Sequence, residues 1–308
     1  DVLLQSSLKK EGALTWEQSR LKIQLPRSLS FSWVEGNFKK GLSLLGRSVS
    51  TQSSSGSDSL QFEIKVQNRI THQLNFVYVK PPTLKATFRP KVAIVIDDLG
   101  GENHFAQEIL RWNVPLTFSI LPFTPYSKTL AEQAHQKGRE VILHLPMEPY
   151  GYPKTKPGEG VLLEEMGDEK LLGQLSRDLE AVPNIKGVSN HMGSRLMEDP
   201  GKLRVIMKEL KRRGLFFLDS RTSPQTLGLQ IAESIGVRAT ERSLFLDNSQ
   251  DPEEIKQQLE KLAQLSLETG KAIGIGHPHP STLQSLKEMI PRMKEKGVEI
   301  VPLSSIVE

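Results

Sequence analysis

Strand-like apolar runs alternate with amphipathic helical patterns throughout residues 91–308, and this alternation constrains the fold more than any other feature. Several helical patterns end at a glycine, among them Gly138, Gly214 and Gly297, where helices commonly stop. Strict β–α alternation implies parallel strands joined by crossover helices. The number and length of the units predict an α/β fold of the (β/α) barrel type. An open doubly wound sheet is the alternative, but it usually carries a glycine-rich phosphate turn after its first strand.

Two adjacent carboxylates stand where that phosphate turn would be. The first predicted strand, Val92–Ile96, runs directly into Asp97 and Asp98. Alternation along a strand predicts that these two side chains point to opposite sides. Acids at the end of a buried strand are costly unless they are paired, hydrogen-bonded or bound to a cation. From these residues alone, a turn that caps the next helix is an equally good interpretation.

Polar side chains that carry chemistry follow five of the predicted strands. In chain order they are Asp97 and Asp98, His144, Asn190 and His191, Asp219 and Arg221, and His277 and His279. The carboxyl ends of barrel strands meet at one rim, where barrel enzymes have their active sites. Any one of these residues alone could be an ordinary surface residue. Several acids and histidines at equivalent points are better explained by a shared site.

Carboxylates and imidazoles together suit zinc, and they also suit iron, cobalt or nickel. Three protein ligands leave a position for water, and the metal lowers the pKa of that water toward neutrality. A second carboxylate beside the ligands can then accept the water's proton, and an imidazole across the rim can protonate the leaving group. The residues of the rim therefore predict metal-assisted hydrolysis.

Residues 1–80 have a different composition and pattern, which predict a small basic α+β domain. Residues 1–90 carry 13 Lys and Arg against 6 Asp and Glu, whereas the remainder carries 27 against 30. The basic bias fits a solvated face, or contact with an anionic polymer or a membrane surface. The pattern predicts, in order, a loose terminus over residues 1–13, a strand over Leu21–Leu25, a helix over Phe31–Leu45, a Ser-rich loop over Ser48–Ser59, and strands over Leu60–Val66 and Leu74–Val79. Three prolines predict a stiff linker over residues 81–90, ahead of the barrel at 91–308.

The absence of cysteine excludes disulfides, thiolate metal sites and a cysteine nucleophile. No window approaches the ~20 apolar residues of a membrane-spanning helix. A modest basic bias and an aromatic content of 6% argue against a nucleic-acid partner. The chain begins at Asp1 rather than Met, which indicates that an upstream segment has been removed. Together with the lack of cysteine, this favours an extracytoplasmic location, either periplasmic or secreted.

Five stretches of this sequence resemble motifs of a known family. They are Ile94–Gly100 (IVIDDLG), Leu143–Pro149 (LHLPMEP), Ser189–Ser194 (SNHMGS), Leu218–Thr222 (LDSRT) and Ile275–His279 (IGHPH). Together they resemble the divergent polysaccharide deacetylase family, a distant branch of the NodB-homology polysaccharide deacetylases, over residues 90–306. The resemblance implies a distorted (β/α)7-type barrel with a divalent metal, usually zinc. It also implies hydrolysis of an N- or O-acetyl group on an acetylated polysaccharide or oligosaccharide.

The resemblance further implies roles for individual residues. The catalytic residues it implies are Asp97 as general base, His277 as general acid, and Asp219 and Arg221 as residues that orient the base and the site. The metal ligands that we expect are Asp98, His144 and His191, with His191 on the next strand supplying an imidazole that departs from the superfamily pattern. The wider superfamily has a second histidine four residues after the first, where this sequence has Glu148. Glu148 is therefore a fallback ligand, or a residue that orients a ligand.

Two functions follow as hypotheses. The first is a metal-dependent carbohydrate deacetylase that acts on an extracytoplasmic glycan. The second is a metal-holding glycan-binding or scaffold protein of the cell envelope with little turnover, in which residues 1–80 contact cell-wall polymers or envelope proteins. A phosphoesterase is a weaker hypothesis, because beyond Arg221 and Arg195 the rim lacks a cluster of Lys and Arg that could bind phosphate.

Overall fold

The computed structural model describes residues 2–25, 29–43, 49–56, 59–78 and 89–308. The chain divides into two compact units, Asp1–Pro82 and Thr83–Glu308. Most of the linker predicted over residues 81–90 falls on residues 81–88, which lie outside the described residues. Within the described ranges, no helix has the length and apolar character needed to cross a membrane.

The N-terminal unit is a five-stranded sheet with a helix packed on it. Its elements are β1 (Val2–Glu11), β2 (Leu14–Leu25), α1 (Phe31–Ser43), β3 (Val49–Ser55), β4 (Ser59–Val66) and β5 (Arg69–Tyr78). The strand order is β1-β2-β5-β4-β3, with β2 and β5 parallel and the other pairs antiparallel. The buried rings of Phe62 on β4 and Phe76 on β5 each lie 5.4 Å from the ring of Phe38 on α1. The helix therefore covers the apolar face that strand alternation creates.

Two predictions for this unit are wrong. Residues 1–13 are not a loose terminus, because Val2–Glu11 pairs along its whole length with β2. Within the Ser-rich stretch Ser48–Ser59, residues Val49–Ser55 form the edge strand β3 against β4 rather than a loop. In both cases a neighbouring strand provides the pairing, and neither composition nor local periodicity reveals that tertiary contact.

The C-terminal unit is an α/β barrel of parallel strands, which confirms the predicted fold class. Its elements are β6 (Lys91–Leu99), α2 (His104–Leu110), β7 (Thr117–Ile120), α3 (Ser127–Gln136), β8 (Glu140–Met147), α4 (Asp168–Ala181), β9 (Gly187–Met192), α5 (Pro200–Arg213), β10 (Phe216–Asp219), α6 (Gly228–Ile235), β11 (Ala239–Glu241), β12 (Leu244–Phe245), α7 (Pro252–Thr269), β13 (Lys271–Gly276), α8 (Pro280–Glu295) and β14 (Glu299–Ile300). The strand order is β11-β10-β9-β8-β7-β6-β13-β12, and β14 also pairs with β6. Because β11 and β12 stand at the two ends of this order, the barrel is open between them. This opening is what distorts the barrel. The pattern does not predict β12, because a strand of 2 residues shows no alternation.

The central strands of the barrel are buried on both faces. Val95, Ile142 and Ile275 belong to a cluster inside the barrel. Ile94 and Leu143, their neighbours along the chain, belong to a second cluster between the strands and the surrounding helices. Burial on both faces explains why these strands are continuous apolar runs rather than alternating ones.

The segment that follows β14 closes the amino-terminal end of the barrel. Leu303 is fully buried in the inner cluster, and its N–H donates to Thr117 Oγ1 at the first residue of β7, at 3.0 Å. The N–H of Ser304 donates to Glu140 Oε1 at the first residue of β8, at 3.1 Å. The inner cluster is therefore sealed by residues that belong to no barrel strand.

Leu303→Ala is expected to lower the free energy of unfolding of the barrel by about 2–5 kcal/mol, because it leaves a cavity in the inner cluster. Urea unfolding followed by circular dichroism measures this loss. Leu172→Ala, on a side chain of α4 that is 37% exposed, is the control, and we expect it to change stability by less than about 0.5 kcal/mol. Equal effects of the two substitutions would show that the segment does not seal the core.

Candidate metal centre

Three side chains from three strands converge on one point at the carboxyl end of the barrel. Asp98 lies near the end of β6, His144 lies in β8 and His191 lies in β9. Asp98 Oδ1 is 3.1 Å from His144 Nε2 and 2.9 Å from His191 Nδ1, and the two nitrogens are 3.0 Å apart. One possible ligand atom from each side chain lies within 4.8 Å of the other two. We call these three residues the metal group.

The backbone bends so that both adjacent carboxylates reach the metal group. The pairing of β6 with β7 shifts register between Ile96 and Leu99, and Asp98 has a φ of +59°. Asp97 Oδ1 consequently lies 3.5 Å from His144 Nδ1, while Asp98 contacts the other nitrogen of the same ring. The expectation that the two acids point to opposite sides is wrong, because the register shift interrupts the alternation. A non-glycine residue at positive φ is uncommon, and such residues cluster at functional sites.

A chain of buried hydroxyls fixes the ring of His144. Its Nδ1 lies 2.8 Å from Ser189 Oγ, which in turn lies 2.9 Å from Ser119 Oγ. All three side chains are buried. When Nδ1 donates to Ser189, Nε2 keeps its lone pair and directs it at the metal group. Histidines that bind metals are usually held in this way through their second nitrogen.

A role in binding a divalent cation explains the arrangement of the metal group better than hydrogen bonds among its three side chains do. Asp98 Oδ1 is buried and has no hydrogen-bond partner, although two imidazole nitrogens lie within 3.1 Å. Burial would raise the pKa of Asp98, but His144 and His191 more than offset this and hold the pKa well below its usual range. A carboxylate oxygen and two imidazole nitrogens around one point form a ligand set that zinc takes, with a further position left for water.

Glu148 is not part of the metal group. Glu148 is buried, and its Oε2 accepts a hydrogen bond from the N–H of Glu164 at 2.7 Å. Its Oε1 lies 3.3 Å from Arg195 Nη1. These contacts join the loop after β8 to the loop after β9, and they engage both carboxylate oxygens of Glu148 away from the metal group. The second imidazole comes from His191 on the neighbouring strand instead.

Directly after β13, the strand that pairs with β6, His277 contacts a buried carboxylate that the sequence pattern does not single out. His277 Nδ1 lies 2.8 Å from Asp247 Oδ1, and the backbone N–H of His277 donates to Asp247 Oδ2 at 2.6 Å. Thr282 Oγ1 donates to the same Oδ2 at 2.7 Å. Burial would lower the pKa of His277, but the hydrogen bond and charge of Asp247 outweigh it and raise the pKa to about 9. The imidazole is therefore protonated at neutral pH.

The signal for Asp247 is present in the sequence but faint. Asp247 follows the apolar run Leu244–Leu246, which is the same succession of strand and acid seen at Asp97. The run is too short to be distinguished from part of a loop by its pattern. Only the pairing of β12 with β13 shows that it is a strand.

Asp219 ends β10 and Arg221 lies just beyond it, and their contacts are with residues other than Asp97. Asp219 is fully buried, which raises its pKa, and it accepts hydrogen bonds from the N–H of Arg221 at 2.8 Å and from Thr226 Oγ1 at 2.7 Å. Arg221 Nη1 pairs with Glu241 Oε2 at 2.7 Å. Among the described residues, no hydrogen bond or ion pair joins Asp219 or Arg221 to Asp97. Asp219 and Arg221 shape the turn after β10, so any influence that they have on Asp97 and Asp98 passes through other residues.

Arg242 is a second rim residue that the sequence pattern does not single out. Its Nε donates to the carbonyl of Ser220 at 2.8 Å, and its guanidinium lies 3.7 Å from the centre of the Phe245 ring. That ring is 5.8 Å from the ring of His277, and the ring of His279 is 6.2 Å from His277. Arg242 thus spans the open side of the barrel between β11 and β12, next to the pair formed by His277 and Asp247.

The fold and the site together place this chain in a general class of proteins. Its members are α/β barrels with carboxylate and imidazole groups, as a candidate metal centre, at the carboxyl ends of the strands. Residues 94–307 match the family described as divergent polysaccharide deacetylase. The chain belongs to this family, which confirms the resemblance read from the five motifs.

Relatives and a solved structure extend this result. The uncharacterized Escherichia coli K12 protein YibQ is 33% identical over 217 residues, which cover 70% of this chain and 67% of YibQ. An uncharacterized protein of Haemophilus influenzae Rd is 31% identical over 218 residues, covering 70% of this chain and 76% of that protein. The crystal structure of an uncharacterized protein from Agrobacterium tumefaciens C58 has a TM-score of 0.68 and 27% identity, and the match covers 73% of this chain and 92% of that one. These similarities support the family and the barrel fold.

Proposed function

We propose that this protein is a metal-dependent deacetylase that removes N- or O-acetyl groups from an acetylated polysaccharide or oligosaccharide, with zinc as the metal. The observation that carries the proposal is the convergence of Asp98, His144 and His191, with a buried carboxylate oxygen that lacks a hydrogen-bond partner. Membership of the family supports the reaction class.

Asp97 is the general base of this proposal. A metal held by Asp98, His144 and His191 supplies Lewis acidity, since it lowers the pKa of water and polarises a carbonyl group. Asp97 is 2% exposed, and its Oδ1 is buried without a hydrogen-bond partner, 3.5 Å from His144 Nδ1. Its carboxylate is therefore available to accept a proton from the attacking water.

His277 is the general acid of this proposal. The charge of Asp247 keeps the imidazole protonated, with a pKa of about 9. The side chain of His277 is 27% exposed, whereas that of Asp247 is fully buried. The proton is therefore presented at the rim, where it can pass to the departing amine or alcohol.

The proposed site of action is an extracytoplasmic glycan. The absence of cysteine in the chain is compatible with an oxidising compartment. For the N-terminal unit we propose contact with cell-wall polymers or envelope proteins, supported by its excess of Lys and Arg.

Release of acetate from acetylated amino-sugar oligomers by the zinc-loaded protein tests the proposed activity. Asp97→Asn is expected to lower kcat by about 10²- to 10⁴-fold, the range for loss of a general base, while the zinc content stays unchanged. Asp168→Asn, on a side chain that is 68% exposed, is the matched control and should keep full activity. The absence of acetate from every glycan at saturating zinc would reject deacetylation, and tight glycan binding without product would favour the binding hypothesis.

A further inference from the structure

A small hollow lies between the two loops that leave the imidazole-bearing strands. It has a volume of about 230 Å³ and is lined by Glu148, Tyr152, Leu163, Glu164, Glu165 and Arg195. Glu148 is four residues beyond His144, and Arg195 is four residues beyond His191. The hollow is therefore built from the chain that immediately follows the metal group. Pockets for whole drug-sized ligands measure roughly 300–1,000 Å³, so this volume suits one unit of a larger ligand.

Tyr150, which stands in the chain between the lining residues Glu148 and Tyr152, presents an exposed but fixed aromatic ring. The residue is 64% exposed, more than Phe123 or Tyr126 on the loop after β7. Its backbone N–H donates to Ser194 Oγ at 3.2 Å, and its hydroxyl donates to Glu198 Oε2 at 2.5 Å. An exposed tyrosine held at both ends has already lost the side-chain freedom that ligand binding would otherwise remove.

The polar lining of the hollow offers donors and acceptors side by side. Arg195 Nε lies 2.5 Å from Glu164 Oε2, and both side chains are more than one-third exposed. Glu148 is more than nine-tenths buried, and its Oε1 contacts Arg195 Nη1 at 3.3 Å. Adjacent sugar hydroxyls each donate and accept, so they match such a pair. The lining holds three carboxylates and one guanidinium, and this excess of negative charge disfavours an anionic ligand.

We propose that this hollow, together with the ring of Tyr150, is a subsite for a neutral sugar unit of the glycan, next to the unit whose acetyl group reaches the metal group. This inference rests on the proposed function and names the part of the substrate that lies beyond the reacting group. The flat apolar face of Tyr150 meets the C–H face of the sugar, while Arg195 and Glu164 meet its hydroxyls.

Calorimetric titration of the zinc-loaded full chain with the tetramer of N-acetylglucosamine tests the subsite. Tyr150→Ala is expected to weaken tetramer binding by about tenfold, which is in the range of one aromatic contact. Tyr150→Phe keeps the ring and loses only the bond to Glu198, so it should stay within about threefold of the wild type. Tyr126→Ala removes an exposed aromatic ring from the loop after β7 and is the matched control, with no expected change.

The outcomes separate the subsite from the proposed activity. The subsite would be overturned if Tyr150→Ala and Tyr126→Ala weakened tetramer binding equally, or if neither changed it. It would also be overturned if the wild-type protein did not bind the tetramer. Tighter binding of an oligomer of galacturonic acid would overturn its neutral character. Acetate release is measured in parallel on the wild type: binding that depends on Tyr150 without acetate rejects the deacetylase alone, and acetate release without dependence on Tyr150 rejects the subsite alone.

Discussion

Asp98→Asn is expected to weaken zinc binding by at least about 100-fold, because loss of an outer partner of a ligand already costs about 10- to 100-fold. Asparagine has the shape of aspartate and tolerates the positive φ of +59° at this position. The backbone can therefore keep its path while the negative charge facing His144 and His191 is lost. Competition with a chelator of known zinc affinity measures the effect without any need for turnover.

Glu148→Gln is the matched control for this substitution, since it makes the same chemical change four residues after His144. Because Glu148 contacts Glu164 and Arg195 rather than the metal group, zinc affinity should stay within about twofold. Metal-free Asp98→Asn protein should unfold at a lower temperature than the wild type at neutral pH, because the lowered pKa of Asp98 means that the folded state favours its charged form. Unchanged zinc affinity in Asp98→Asn would remove Asp98 from the ligand set, and a large loss in Glu148→Gln would add Glu148 to it.

Asp247→Asn is expected to lower the pKa of His277 from about 9 to its ordinary value of 6.5 or below. Burial is the largest single influence on the imidazole and disfavours its protonated form, and without the carboxylate of Asp247 only the charges of Asp97 and Asp98 still oppose it. Proton NMR of the imidazole C–H signals measures this pKa directly. If His277 is the general acid, the alkaline limb of the pH profile of kcat/KM moves down with it.

The same pair makes stability depend on pH, with a defined sign. The pKa of His277 is raised on folding, so its pairing with Asp247 stabilises the fold fully below about pH 6.5, and this stabilisation is lost as the pH rises through about 9. Asp247→Asn should therefore destabilise the protein more at pH 6 than at pH 10. Thr282→Val removes a neutral hydrogen bond from Asp247 and keeps the charge, so it should shift the pKa of His277 much less. An unchanged pKa in Asp247→Asn would contradict the pairing.

The barrel and most of its rim can be predicted because both follow from local pattern. Periodicity distinguishes the strands of residues 91–308 from their helices, and parallel strands place Asp98, His144 and His191 at one edge whatever the details of packing. Strand alternation fails at Asp97 and Asp98, because a register shift against β7 depends on a neighbour that local pattern does not contain.

The features that sequence reasoning misses are those that long-range contacts create. Asp247 becomes visible only when the short strand β12 pairs with β13. The edge strand β3 has a composition typical of loops, and β1 lacks a readable period, yet each is completed by pairing with a neighbour. The contacts of Glu148 with Glu164 and Arg195 likewise depend on two loops whose paths the sequence does not specify.

The order of the strands along the chain also sets the order in which the parts of the proposed site are synthesised. The metal group comes from β6, β8 and β9, which are made before the chain reaches Asp247 and His277. During synthesis, the residues proposed to bind the cation are thus made ahead of the residues proposed to donate the proton. The other side of β6 waits for β13 and β14, whose residues Lys271 and Ile300 pair with Lys91 and Val92. Such distant pairings slow folding, so a cation captured early would hold three strands together while the rest of the barrel arrives.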